Sequence, residues 1–305
     1  MPGRWWLPGG LDLLGSYCSH AEVWGRPALA LLTFLPLVHS PALAQNPRSG
    51  ISVGGLAYEV VGQGDPVVLI HGFGLDRRAW DPQLPALTAQ FRVIRYDLRG
   101  HGRTLASVAE PYTHQDDLAQ LLFELGVERA AIVGHSLGGR VALDFALSYP
   151  GQVTRLVVVG PGLSGYVPRQ RPVGFDSVGA ALRAGDARRA ASFYAETPLM
   201  AIPNDSAMHR FMRGIVMDNF AVWGIRTNTE RPLNPPAISR LASVAVPTLV
   251  IVGENDSGDI LTIADTVAAG VHGARKVVVP AAGHMISLAA AKRFTELVVG
   301  FLRGR

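Results

Sequence analysis

Residues 132–139 read "IVGHSLGG". A short run of small apolar residues stops at a serine that has glycine two positions away on either side. That spacing fits a sharp strand-to-helix turn. The central residue is forced toward strained backbone angles, and a side chain two residues before or after it would collide with the turn. "RAAIVGHS" (129–136) is continuously apolar up to the glycine, as expected of a strand buried on both faces. "LGGRVALDFALSYP" (137–150) reads as a helix stopped by proline. Its N-terminus, just behind Ser136, offers free N–H groups and the positive end of the helix dipole. A phosphate-binding loop would need a lysine after these glycines, and none follows.

The same rhythm extends in both directions. "ISVGGLAYEVVG" (51–62) reads as an exposed antiparallel strand or hairpin. "PVVLIHG" (66–72), "FRVIRYD" (91–97), "VTRLVVVG" (153–160), "PTLVIVGEND" (247–256) and "ARKVVVPAAGH" (274–284) read as strands. Helices are predicted over 77–90, with a proline interruption, 113–126, near 260–269 and from about 288 to 303. Thr113 with Asp116 resembles a capping box, and Gly126 closes that helix. Alternating apolar strands and helices predict a parallel sheet covered on both faces, an α/β architecture. Residues 161–240 break the rhythm. They are richer in Pro, Met and aromatics and read as a helical cap, or lid, inserted into a core formed by 45–160 and 241–305.

Composition narrows the function. The chain has 305 residues, 48% of them hydrophobic and 17% charged, which suits a large buried core. The net charge of +4 is scattered, with no basic stripe, so a nucleic-acid partner is not expected. The densest basic group, "RAGDARR" (183–189), reads as a solvated helix face. The single cysteine, Cys18, excludes an internal disulfide and a thiolate zinc site.

Residues 1–44 are a different kind of sequence. "RPALALLTFLPLVHSPALAQ" (26–45) has a basic flank, a short apolar run and Ala42-Leu43-Ala44, the layout of a secretory signal. Cleavage after Ala44 is expected, giving a secreted or periplasmic protein. The alternative is an anchor that stays attached through an uncleaved N-terminal segment. Residues 1–22 carry Asp12 and Glu22 and are long for the basic part of a signal, which leaves the true translation start open.

A serine needs a base to become a nucleophile, and the base needs an orienting acid. In a parallel α/β sheet these belong just past the carboxyl ends of later strands. Of nine histidines, His284, in "AAGHM", is the one that follows a late strand. His272 precedes that strand. The acid should come from the loop after "TLVIVG", where Asp256 is preferred, Asp259 also qualifies and Glu254 does in principle. The anionic intermediate needs preorganised N–H donors. The Leu137 N–H, just after the serine, is one candidate, and the Phe73 N–H, in His71-Gly72-Phe73-Gly74, is the other. His71 reads as a structural hydrogen-bonding residue.

Taken in order, "HGFG" (71–74), "DLRGHGRT" (97–104), "GHSLGG" (134–139), "GEND" (253–256) and "GHM" (283–285) give residues 51–303 a clear resemblance to the α/β-hydrolase superfamily. The resemblance implies an eight-stranded, mostly parallel sheet with a helical cap inserted after the sixth strand. It also implies that "DLRGHG" is a structural turn, so Asp97, Arg99 and His101 are not assigned to catalysis. Ser136 stands where epoxide hydrolases and haloalkane dehalogenases of this superfamily carry aspartate, which disfavours both. Carbon–carbon bond hydrolases typically carry a tryptophan just after the histidine, and "GHMISLAAAKRF" has none.

The expected activity is therefore hydrolysis of a carboxylic ester or lactone with an apolar acyl or alkyl group, a small-molecule substrate, with no metal or cofactor. Cofactor-free haloperoxidase or perhydrolase chemistry, or carbon–carbon bond hydrolysis despite the missing tryptophan, is the alternative on the same triad. A non-catalytic ligand-binding protein of this fold would have no need of all three groups. In the cap, Trp223, Phe220 and Met212 are candidate substrate contacts, although such residues can equally form the cap's own core.

Overall fold

The computed structural model describes residues 47–304 apart from residue 228. The leader reading, including Cys18 and Ala44, lies outside the described residues. Eight strands form one sheet: β1 (Arg48–Ile51), β2 (Ala57–Val61), β3 (Asp65–Ile70), β4 (Phe91–Tyr96), β5 (Ala130–His135), β6 (Val153–Val159), β7 (Thr248–Gly253) and β8 (Arg275–Val279). The spatial order is β1-β2-β4-β3-β5-β6-β7-β8. β1 and β2 pair antiparallel, as do β2 and β4; every later pairing is parallel.

The helices are α1 (Leu84–Thr88), α2 (His114–Glu124), α3 (Leu137–Ser148), α4 (Phe175–Arg183), α5 (Ala187–Ala195), α6 (Ser206–Asp218), α7 (Gly258–Gly270), α8 (Ile286–Ala289) and α9 (Ala291–Leu302). α2 starts as its sequence requires, with the Thr113 hydroxyl accepting from the Asp116 N–H at 3.1 Å.

Alternate residues of each central strand feed two separate cores. Leu156, Val158, Val250 and Val252 pack with Leu118 and Phe145 on one face. Val157, Val159, Leu249 and Ile251 pack with Trp80 and Phe294 on the other. Both faces are covered, so these strands read as unbroken apolar runs rather than alternating ones. Each such side chain contributes about 1.5–3 kcal/mol on burial.

Between β6 and β7 the chain leaves the sheet and forms α4, α5 and α6. Ala190, Ala191, Tyr194, Met212, Ile215 and Val216 make a third core there, against Leu75 from the loop after β3 and Met285 from the loop after β8. Two details differ from the sequence reading. "RAGDARR" is not one helix face: α4 ends at Arg183, Gly185 turns at φ 75°, and the Asp186 carboxylate caps α5 by accepting from the Arg189 N–H. The final helix is broken at Ala290, whose φ −128° and ψ 42° lie outside the helical region.

The turn at Ser136 tolerates no side chain beside it. A Cβ on Gly134 would overlap the Gly138 carbonyl, and one on Gly138 would overlap the Ile70 carbonyl. Both neighbours are backbone and cannot rotate away. Gly134→Ala is therefore expected to destabilise the fold by more than about 3 kcal/mol in urea unfolding. A loss below about 1 kcal/mol would mean that the turn is loose.

Candidate active site

The predicted site residues converge on one edge of the sheet. His71 to Gly74 follow β3, Ser136 follows β5, Asp256 follows β7 and His284 follows β8. This is the carboxyl edge of the strands, where open α/β sheets bind ligands.

Ser136 has φ 54° and ψ −113°, a conformation that non-glycine residues rarely adopt. The surrounding backbone holds it there. Its N–H donates to the Val159 carbonyl at 2.9 Å, and its carbonyl accepts from Arg140 and Gly162. The residue keeps partial exposure at the surface of the turn.

His284 and Asp256 form a buried pair. The His284 Nδ1–H donates to the two Asp256 carboxylate oxygens, at 2.9 and 3.1 Å. With the proton on Nδ1, the lone pair lies on Nε2, the atom a general base would use. Asp256 Oδ1 also accepts from the Ser257 N–H at 2.7 Å. Gly160 makes room for the pair, because a Cβ there would crowd both the His284 ring and the Asp256 carboxylate. A cavity of about 140 Å³ opens on the pair between Pro172, Val173, Pro198 and Leu199.

Asp259 lies elsewhere. Its carboxylate accepts from the Tyr166 hydroxyl at 2.8 Å and from the Arg169 and Gln170 N–H groups. These bonds, the Tyr166 hydroxyl foremost, hold it below the usual carboxylate range. It ties down the start of the segment between β6 and β7. Glu254 accepts from the Ala281 N–H.

The loop after β3 is held by two histidines: His71, in the structural hydrogen-bonding role its sequence suggested, and His101, whose hold on this loop the sequence did not show. The His71 Nδ1–H donates to the Gly72 carbonyl at 2.8 Å, while its Nε2 accepts from the Leu98 N–H. In a trans peptide the N–H points opposite the carbonyl, so anchoring the Gly72 carbonyl also orients the Phe73 N–H. His101 Nε2 accepts from the Gly74 N–H at 3.1 Å, and its Nδ1–H donates to the Arg99 carbonyl. The loop borders the serine: a Cβ on Gly72 would stand 3.3 Å from the Ser136 Cβ. Leu137, the other donor candidate, is the first residue of α3, where the helix supplies no partner for the N–H.

His135, just before the serine, is another buried histidine, and one without a local sequence signal. Its Nε2–H donates to the His284 carbonyl at 3.0 Å, and the two rings lie 4.8 Å apart. The serine turn and the histidine loop therefore touch directly. Asp97 accepts from the Arg77 and Arg103 N–H groups and pairs with the Arg77 side chain, which fits the structural turn expected of it.

The three cap candidates separate. Trp223 stacks edge-to-face on Phe73 with ring centroids 4.8 Å apart, beside Tyr194. Met212 is wholly buried in the third core. Phe220 lies beneath the Arg188 guanidinium. None of the three lines the cavity at His284.

Burial pushes the pKa of His71 down to about 4 and those of His101 and His135 down to about 3. All three serve as neutral rings. Below the unfolded-state value of about 6.5 the unfolded chain takes up protons that the native chain refuses. Their contribution to stability is complete above that pH and drains away as pH falls toward 4 and 3. Each histidine contributes a slope of roughly 1.4 kcal/mol per pH unit in that window. Urea midpoints from pH 7 to pH 4 should fall steeply, and His101→Gln should flatten the fall. A flat wild-type profile would contradict the neutral burial.

The description "Alpha/beta hydrolase family" belongs to the family profile that matches residues 67–297, from β3 into α9. The chain belongs to the α/β-hydrolase family. Among curated relatives, the protein RutD of Caulobacter sp. strain K31 is 32% identical over 266 residues, covering 83% of this chain and 97% of its own; its name carries a provisional assignment as a carbamate hydrolase. A solved structure of a thermophilic esterase from Thermogutta terrifontis is 28% identical, covers 85% of this chain and 98% of its own, and superposes with a TM-score of 0.68. The enol-lactonase of Burkholderia xenovorans LB400, at 24% identity and a TM-score of 0.66 over 84% of this chain and all of its own, shares the fold. As an α/β hydrolase the chain carries the eight-stranded, mostly parallel sheet of the family. Among the described residues no helix is long and apolar enough to cross a membrane, and no cluster of three metal-ligating side chains is present.

Proposed function

We propose that this α/β hydrolase is a serine hydrolase that cleaves a carboxylic ester or lactone with an apolar acyl or alkyl group. The observation that carries this reading is the His284–Asp256 pair beside the strained Ser136 turn. Ser136 Oγ attacks the carbonyl carbon while His284 Nε2 takes its proton. The N–H groups of Phe73 and Leu137 stabilise the oxyanion. His284 returns the proton to the leaving alcohol, and water deacylates the enzyme by the same route. Asp256 holds the ring in the Nδ1–H tautomer and stabilises its charged form. The apolar preference is supported by Pro172, Val173, Pro198 and Leu199, which line the cavity at His284 together with Asn255 and Ser257. The likeness to the thermophilic esterase from Thermogutta terrifontis fits this chemistry.

Carbamates, the substrate class in the name of RutD, undergo acyl transfer by the same steps, so they belong in the same assay. Purified protein starting at Gln45 should hydrolyse p-nitrophenyl esters, with a preference among acyl lengths from two to ten carbons. Inertness toward every ester, lactone and carbamate offered, with the protein folded, would remove the reading. Secretion after cleavage at Ala44 is part of the proposal, and N-terminal sequencing of exported protein tests it.

A further inference from the structure

One buried side chain joins the helical segment after β6 to the loop that carries Phe73 and to the turn whose His101 supports that loop. Asn219 follows α6 and is 4% exposed. Its Oδ1 accepts from the Gly102 N–H at 2.6 Å. Its Nδ2 donates to Asp76 Oδ2 and to the Ile215 carbonyl, both at 2.8 Å. A side-chain amide can accept on one side and donate twice on the other while staying neutral. A carboxylate, hydroxyl or alkyl group cannot make this set of bonds.

The two partners outside the helix are not arbitrary. Gly102 follows His101, the ring that accepts from the Gly74 N–H. Asp76 lies two residues beyond Gly74, and its Oδ1 caps the next turn by accepting from the Arg78 N–H. Asn219 thus grips the Phe73 loop from its far end and, through His101, from its middle. Four residues further on, Trp223 stacks on Phe73 itself. The same stretch of chain therefore clamps the loop and covers it.

Resting on the hydrolase reading above, we infer that Asn219 is a positioning residue for the Phe73 N–H. It makes the seating of the helical segment and the formation of the oxyanion site a single event. When the amide bonds are made, Gly102 and Asp76 are fixed, His101 is held against Gly74, and the Gly72–Phe73 peptide presents its N–H. When they are not, the helical segment can part from the sheet domain and the loop loses two of its anchors.

The test uses Asn219→Ala and the near-isosteric Asn219→Asp in the chain starting at Gln45. Substrates are p-nitrophenyl acetate and p-nitrophenyl octanoate. Asn219→Ala should lower kcat at least about tenfold on both esters, with KM changed less than about threefold, because the lost donor acts on the transition state. Hydrogen exchange over 71–78 and 97–103 should accelerate while the central strands stay protected.

Asn219→Asp keeps an acceptor for Gly102 but sets an oxygen against the Asp76 carboxylate. The surrounding cavity of about 300 Å³ also carries Asp97, Asp218, Arg77, Arg78 and Arg103. Protonating the introduced carboxyl restores one donor. The ratio of Asn219→Asp to wild-type kcat should therefore rise as pH falls, and taking the ratio cancels any pH effect common to the two proteins. A folded Asn219→Ala with wild-type kcat and unchanged exchange over 71–78 would overturn the inference. So would a loss confined to KM that grows with acyl length, which marks a pocket wall. If Asn219→Ala does not fold, a flat kcat ratio for Asn219→Asp would do the same. If wild type hydrolyses no ester, lactone or carbamate, the hydrolase reading falls, and the exchange over 71–78 still decides the coupling.

Discussion

Ser136→Ala is expected to lower kcat by about 10⁵- to 10⁶-fold, the scale seen when a triad nucleophile is removed. The protein should stay folded, because the Ser136 backbone is held by Val159, Arg140 and Gly162 rather than by its side chain. A companion variant separates chemistry from strain. Ser136→Gly loses activity equally but relieves a backbone at φ 54°, ψ −113°. Strain of this kind costs about 1–3 kcal/mol, and glycine adopts positive φ without steric penalty. Ser136→Gly should therefore raise Tm by at least about 2 °C. Activity of Ser136→Ala within a hundredfold of wild type would remove Ser136 as the nucleophile. A lower Tm for the glycine variant would show that the turn stores no strain.

Asp256→Asn should reduce kcat by about 10⁴-fold, and Asp259→Asn by less than about twofold. The Asp256 carboxylate accepts the Nδ1–H of His284 through both oxygens. An amide can turn its NH₂ toward Nδ1, move the ring proton to Nε2 and block the base. Asp259 binds Tyr166, Arg169 and Gln170, so its loss loosens the start of the helical segment and leaves the base intact. Steady-state rates with one ester separate the two carboxylates. A large loss at Asp259 with little at Asp256 would reverse the assignment.

The core was legible because its physics is local. A strand buried on both faces must be apolar throughout, and a turn that admits no Cβ must use glycine at fixed offsets from Ser136. Those two rules place the central strands and the serine turn, and the order of the motifs around them supplies the rest. What stayed hidden depends on contacts far apart in the chain. Asn219 bonds Gly102 across 117 positions, and His135 bonds the His284 carbonyl across 149. No periodicity encodes such pairs. The apolar residues of the segment between β6 and β7 were ambiguous for another reason. Met212 in the third core and Trp223 on Phe73 are both large and apolar, so only their packing distinguishes a core residue from one beside the loop. "RAGDARR" misled because charges at the ends of two helices look like charges along one; the deciding residue is Asp186, which caps the second.

The edge-to-face pairing of Trp223 with Phe73 has an optical consequence. Of five tryptophans in the chain, Trp80 and Trp223 are the two beyond residue 45. Trp80 is sealed among Phe294 and the sheet, 1% exposed, and so supplies a constant emission. Trp223 sits on the loop that would receive the oxyanion. Intrinsic fluorescence of the shortened chain is thus expected to report on the surroundings of Phe73 against the Trp80 background, which lets the proposed acylation be tested in a stopped-flow trace without any label.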